Sequence, residues 1–115
     1  MNPSCIFCKI AAGEIPATVV YKDEQLTAFR DLHPAAPTHV LIIPNRHIAS
    51  INETVPEDES LLGHLFIAAR KIAETEGISE SGYRVVVNTG EHGGQTVHHL
   101  HMHMLGGQAM KHAMG

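Results

Sequence analysis

Tryptophan is absent from this 115-residue chain, and two tyrosines with three phenylalanines are its only aromatic residues. A core built from it must therefore be mostly aliphatic. Charge is scarce as well: 17% of residues are Asp, Glu, Lys or Arg, and the formal net charge is −4 with histidines neutral. No long basic run exists, so the chain lacks the electrostatic footprint of a nucleic-acid binder. No apolar run approaches the ~18–20 residues that cross a bilayer. Met1-Asn2-Pro3-Ser4-Cys5 shows no basic region followed by an apolar stretch, so it does not read as a signal peptide. These absences make the cytoplasm the expected location, with neither nucleic acid nor membrane as a partner. Cysteine is limited to two residues, and a reducing compartment argues against a structural disulfide between them. There is no internal repeat and no low-complexity segment. The length suits one domain over residues 1–115, and 43% apolar residues suffice for a core.

Histidine is what the chain has in excess: 10 residues, spread along it, with His112 alone in the tail. Ile6, Phe7 and Ile10 fall at helical spacing between Ser4, a potential cap, and Gly13, a potential stop. Val19-Val20-Tyr21, a Lys22-Asp23-Glu24 turn and Leu26 to Phe29 read as a hairpin. Two prolines make 31–37 a loop. Thr38 to Ile43 is an apolar run of strand length, suited to a central strand covered on both faces and ended by Pro44. Pro56 with Glu57, Asp58 and Glu59 opens the one long helix, with Thr54 or Val55 before it. Leu61, Leu62, Leu65, Ala68, Ala69 and Ile72 form its apolar stripe, and Gly77 stops it. Tyr83 to Asn88 reads as a strand, 89–95 as a glycine-rich loop, and Thr96 to Leu105 as a last strand. Grouped strands with one main helix predict an α+β domain with a largely antiparallel sheet.

On a strand, His99, His101 and His103 share one face with Val97, while His98, Leu100, Met102 and Met104 take the other. Three imidazoles at period two are costly to bury without partners, so they call for a metal, a ligand or a hydrogen-bond network. A metal centre is one reading. Nucleophilic catalysis is the other: a neutral imidazole attacks phosphorus through one nitrogen while an acceptor holds the second. Gly93 and Gly94 can present backbone N–H groups to an anion, and Asn88, Gln95 and Thr96 add side-chain donors. Cys5-Ile6-Phe7-Cys8 has the spacing of half a zinc site. A closed tetrahedral site needs two more ligands, for which His39, His47, His64 and His99 are candidates. A redox pair is disfavoured because no strand precedes it in a βαβ unit, and two unrelated buried thiols are the plain alternative.

The run His99-Leu100-His101-Met102-His103-Met104-Leu105 resembles the signature of the histidine triad (HIT) family. The preceding Gly93-Gly94-Gln95-Thr96-Val97 and the following Gly106-Gly107 are similar to its nucleotide-binding Hint branch. So are Ile6-Phe7-x-Lys9-Ile10, Glu14-Ile15-Pro16, Ala28-Phe29-x-Asp31-x-x-Pro34-x-Ala36-Pro37-Thr38-His39 and Ile43-Pro44-x-x-His47-Ile48. The likeness runs from about residue 5 to residue 107 and leaves 108–115 as a short tail. It implies a HIT-like α+β fold, a homodimer with sheets joined across the interface, and binding of a purine nucleotide (AMP, GMP or a derivative). It also implies hydrolysis of a nucleoside phosphoramidate of the adenylyl-amine type. His101 matches the nucleophile, His103 a contact to the phosphate and leaving group, and His39 a histidine behind the triad. Asn88 and Thr96 match phosphate contacts, and Gly94 and Gln95 belong to the same loop. Asp31 matches the acid that holds the ribose hydroxyls. Ile6, Phe7, Phe29, Leu32 and Leu41 match the lining of the base pocket. The resemblance further implies a structural zinc held by Cys5, Cys8, His47 and His99. The tail departs from some relatives by lacking a Trp. His33 replaces a small polar residue and is expected to face solvent, and His92 and His98 are expected to take no part in catalysis.

The chemistry so implied is a two-step displacement through a nucleotidyl-histidine on His101. Three other readings use the same residues: hydrolysis of dinucleoside polyphosphates or nucleotidyl transfer, a nucleotide-binding regulatory module with little turnover, and a hydrolase whose catalytic metal contacts His101.

Overall fold

The computed structural model describes residues 4–111; His112 and its neighbours at the end of the tail lie outside the described residues. Five strands form one sheet in the order β1-β2-β3-β5-β4, and every neighbouring pair is antiparallel. The strands are β1 (Val19–Lys22), β2 (Leu26–Arg30), β3 (Thr38–Pro44), β4 (Tyr83–Val86) and β5 (Met102–Gly106). The helices are α1 (Ile6–Ala11) and α2 (Glu59–Thr75). All seven residues of β3 are buried, as expected for a centre strand covered on both faces.

Strand alternation sorts the core into two layers. Leu26, Ala28, Val40, Ile42, Met102 and Met104 point to one face and pack against Leu61, Leu65, Ala68, Ala69 and Ile72 of α2. Each large aliphatic side chain so buried contributes about 1.5–3 kcal/mol. Phe29, Leu41 and Ile43 point to the other face, where α1 covers them with Phe7 and Cys8. His39 and His103 belong to this second face, because they alternate with Val40 and with Met102 and Met104.

Several local expectations need correction. Cys5, not Ser4, caps α1: its sulfur accepts from the Cys8 N–H at 3.4 Å. Gly13, at φ 78°, does follow the helix end. The long helix is preceded by two short 3₁₀ turns, Ile51–Glu53 and Pro56–Asp58. The Asp58 carboxylate accepts from the Val55 N–H at 3.0 Å and pairs with Arg46. The strand predicted over Tyr83 to Asn88 stops at Val86.

The strand predicted over Thr96 to Leu105 is the largest departure, since only Met102–Gly106 is regular. The β3–β5 ladder ends at the Ile42–Met102 pair. The next hydrogen-bonded pair, two residues on, would set Leu100 opposite Pro44, which has no N–H to give. Leu100 instead donates to the Ile48 carbonyl at 2.7 Å, and residues 96–101 run outside the ladder.

Candidate active site

Leu41 and Val86 both lie opposite His103 in the sheet. His39 lies opposite Leu105, which makes His39 and His103 diagonal neighbours on one face. Their rings meet, with His39 Nε2 3.0 Å from His103 Nδ1. The Ala35 N–H donates to His39 Nδ1 at 3.0 Å. That contact fixes the neutral tautomer: His39 accepts at Nδ1, carries its proton at Nε2 and donates it to His103 Nδ1. His103 is then protonated at Nε2, the nitrogen left to face a ligand. Asp31 Oδ2 stands 3.6 Å from His39 Nε2, and Asp31 Oδ1 accepts from the His33 N–H at 2.8 Å.

His101 is set up in the opposite sense. Its Nδ1 lies 2.7 Å from the His99 carbonyl, so Nδ1 carries the proton and donates, and Nε2 keeps the lone pair. The ring is buried, edge-on to Phe7 at 5.1 Å between centroids and 4.9 Å from the His103 ring. His101 thus offers a nucleophile and His103 a donor, side by side. Burial, reinforced by the neighbouring His101 and His39, pushes the His103 pKa down to about 4, with Asp31 opposing. Burial lowers His39 as well, again against Asp31. The site at pH 7 therefore presents these two imidazoles uncharged.

His99 faces away, into a separate cluster. Its Nε2–H donates to the Pro44 carbonyl at 2.8 Å, which leaves Nδ1 as the lone-pair nitrogen. That nitrogen sits 3.3 Å from Cys5 Sγ and 3.6 Å from Cys8 Sγ, and His47 Nδ1 lies 3.3 Å from Cys8 Sγ. The four ligand atoms lie within 4.8 Å of one another. A tetrahedral ion with bonds of ~2.3 Å to sulfur and ~2.05 Å to nitrogen sets S and N about 3.6 Å apart. The donors therefore fit a metal with little movement, and the carbonyl on the remote ring nitrogen is a familiar way to aim a histidine ligand. His64, another candidate for this set, is elsewhere: its Nε2 meets Asp23 Oδ2 at 2.6 Å. Burial alone would raise the Asp23 pKa. The hydrogen bonds from Tyr21, the Gln25 and Leu26 N–H groups and His64 outweigh it and hold the carboxylate well below its usual range.

The glycine-rich loop is built differently from expectation. Gly94 N–H donates to the Glu91 carbonyl and Gln95 N–H to the Gly90 carbonyl, so neither is turned outward to an anion. Gln95 is buried with its amide fully engaged: Nε2 donates to the Ala49 and Val97 carbonyls at 2.7 and 3.0 Å, and Oε1 accepts from the Gly90 N–H. It ties the loop to the chain after β3. Asn88 Nδ2 closes the loop by donating to the Gly93 carbonyl at 2.7 Å. A Cβ on Gly93 would stand 2.3 Å from the Thr89 carbonyl oxygen, so that turn admits only glycine. Thr96 is exposed at the mouth of an open cleft that Ile6, His47, Val97 and His98 also line.

Of the expected base-pocket residues, Phe7, Phe29 and Leu41 form one buried cluster, with the Phe7 and Phe29 rings 5.5 Å apart. Ile6 is half-exposed, and Leu32, 88% exposed, is not brought against the cluster. His33, His92 and His98 are exposed. Sequence reasoning missed the Ala35 N–H and the Pro44 carbonyl, because backbone partners have no side-chain signature. The prolines at 34, 37 and 44, which mark a fixed loop and a strand end, were the available signal.

The HIT domain model matches residues 12–110. A purine nucleoside phosphoramidase of Escherichia coli is 53% identical over 110 residues, spanning 96% of this chain and 92% of that protein. An uncharacterised HIT-like protein of Synechococcus elongatus is 51% identical over 110 residues, 96% of each chain. Among solved structures, a HIT family hydrolase from Legionella pneumophila superposes with a TM-score of 0.94 at 54% identity, covering 97% of this chain and all of that one. A histidine triad protein from Clostridium difficile gives 0.95 at 42% identity, with 97% of each chain covered. Likeness of this depth over nearly the whole length, with the three histidines disposed as described, places the chain in the HIT domain family.

Proposed function

We propose that the chain is a purine nucleoside phosphoramidase that works through a nucleotidyl-histidine on His101. The observation that carries this is the tautomer of His101: its Nδ1–H is held by the His99 carbonyl, and Nε2 is free beside a neutral donor, His103. The sequence match to the Escherichia coli phosphoramidase supports the substrate class. In the first step His101 Nε2 forms a bond to the α-phosphorus and the P–N bond to the amine breaks. The departing amine takes its proton from water, while neutral His103 keeps Nε2–H as a hydrogen-bond donor to the phosphate. In the second step water attacks phosphorus, the P–Nε2 bond breaks, and the nucleotide leaves. Asn88, Thr96 and the 93–95 loop are the proposed phosphate surroundings, with Asp31 at the ribose and Phe7, Phe29 and Leu41 under the base. Gly94 and Gln95 serve there by shaping the loop.

Cys5, Cys8, His47 and His99 are proposed to hold zinc. With all four positions taken by protein atoms it supplies no open coordination site; it ties α1 to the segment before β5. A homodimer joined through a sheet edge is proposed as well. β1 and β4 are the edges of this sheet, and unpaired edges invite a further strand. No helix among the described residues is long and apolar enough to cross a membrane; a cytoplasmic location is proposed from the composition of the sequence.

Brief incubation with adenosine phosphoramidate, followed by intact-mass measurement, tests the proposal. An adenylyl adduct that is lost in His101→Ala is expected, and turnover should persist with a chelator of free divalent ions present. Equal rates in wild type and His101→Ala would refute it. Dinucleoside polyphosphate cleaved faster than the phosphoramidate would transfer the assignment to that substrate.

A further inference from the structure

Asp31, His39 and His103 form a second group with metal-ligand chemistry, separate from the cysteine cluster. Their ligand atoms lie within 4.8 Å of one another. His39 is buried, and Asp31 and His103 are half-buried at the edge of the proposed nucleotide site. Two histidines and one carboxylate with open positions beside them is a donor set that suits six-coordinate first-row ions.

Geometry separates this site from the first. His39 Nε2 and His103 Nδ1 are 3.0 Å apart. With bonds of ~2.05 Å to both, an ion between them subtends roughly 90–95°. That is the angle between adjacent ligands in six-coordination, and well short of a tetrahedron's ~109°. No thiolate is present, so the preference of soft ligands for zinc does not apply. The carboxylate is the arm that must move. Two bonds of ~2.1 Å span at most about 4.2 Å, and Asp31 lies on the connection between β2 and β3, where a rotamer change can bring it in. For Nε2 to bind, His39 must carry its proton at Nδ1 and give up the bond from the Ala35 N–H. Binding by two neutral rings releases no proton; the one on His39 moves from Nε2 to Nδ1.

We propose that Asp31, His39 and His103 bind a divalent, six-coordinate transition ion in place of the nucleotide, making the enzyme reversibly metal-inhibited. The inhibitory half rests on the assignment of Asp31 and His103 to the nucleotide site. An ion there occupies Asp31 and displaces from His39 Nε2 the proton that orients His103.

The test uses full-length protein loaded with one equivalent of zinc and titrated with cobalt(II) at pH 7. A second equivalent should bind with the weak absorption of six-coordinate cobalt and without an intense thiolate charge-transfer band. His39→Gln and Asp31→Asn should each weaken that binding by about tenfold or more, with zinc content and circular dichroism unchanged. AMP should raise the apparent cobalt dissociation constant in proportion to its own saturation. No second equivalent, a thiolate band, or unchanged binding in both variants would overturn the site. Cobalt that binds at Asp31 and His39 yet is indifferent to AMP would uphold the metal site, overturn the inhibition, and show that the nucleotide assignment of Asp31 had failed.

Discussion

Lowering the pH from 7 to 5 should destabilise this protein in a way that depends on His103. Burial first, then the neighbouring imidazoles, bring its pKa from an ordinary 6.5 down to about 4 in the folded chain. The unfolded chain therefore binds more protons between those values, and stability falls as pH falls. The contribution is intact above about 6.5 and is lost progressively toward about 4. The full shift is worth about 3.4 kcal/mol, and the part between pH 7 and 5 about 1.8. His103 is only half-buried, so solvent screening leaves about 1 kcal/mol in that interval. Urea unfolding at pH 7 and 5 in wild type and His103→Gln measures it, since glutamine keeps an amide but does not titrate. The variant should lose about 1 kcal/mol less than wild type over the interval. An equal loss in both, or a His103 ring that titrates above pH 6 by NMR, would refute the reasoning.

Removing the proposed zinc with a strong chelator should lower Tm by about 10–16 °C. An ion held at 100–1,000 times its dissociation constant contributes about 3–4 kcal/mol, and each kcal/mol moves a chain of this length by about 4 °C. Metal content at zero with an unchanged scanning-calorimetry Tm is the contrary result. His101→Ala should cut phosphoramidate kcat by about 10⁴-fold or more, with nucleotide affinity by calorimetry changed far less. Gly93→Ala forces the 89–94 turn to shift and should reduce kcat/KM by roughly 10- to 100-fold, while far-UV circular dichroism stays the same. Leu65, 2% exposed under the sheet, should cost about 2–5 kcal/mol on change to alanine, read as a drop in the urea midpoint at constant m.

The elements were legible where periodicity or punctuation is strong. The all-buried run of β3, the α2 stripe and the hairpin around Asp23 follow from apolar spacing and turn residues alone. So did the division of Leu100, Met102 and Met104 from the three histidines, because alternation survives even where the ladder does not. What sequence could not supply was partner identity. Gln95 reads as a donor to a ligand, yet three backbone groups engage it, because a buried amide must satisfy both its ends. The regular strand before Met102 failed for a related reason. β-pattern at 96–101 is genuine, but the neighbouring strand has a proline where the ladder needed a donor.

That interruption explains how three identical side chains on alternate residues come to do different things. An imidazole is assigned its role by whichever of its nitrogens is already committed. Had β5 begun at Thr96, ladder bonds would have competed for the backbone carbonyls of 97–101, and no side chain of this segment would have had first claim on them. With the β3–β5 ladder ended at Ile42–Met102 and the β4–β5 ladder at Val86–His103, the Pro44 carbonyl is open to His99 Nε2, and the His99 carbonyl to His101 Nδ1. The first bond frees His99 Nδ1 for the cysteines; the second frees His101 Nε2 for a substrate. His103, already inside the regular strand, takes its tautomer from His39 across the sheet instead. The proposed metal ligand, nucleophile and donor are thus distinguished by two backbone carbonyls and one cross-strand ring. Restoring a donor at the strand end, as in Pro44→Ala, should loosen that distinction and lower kcat more than it lowers stability.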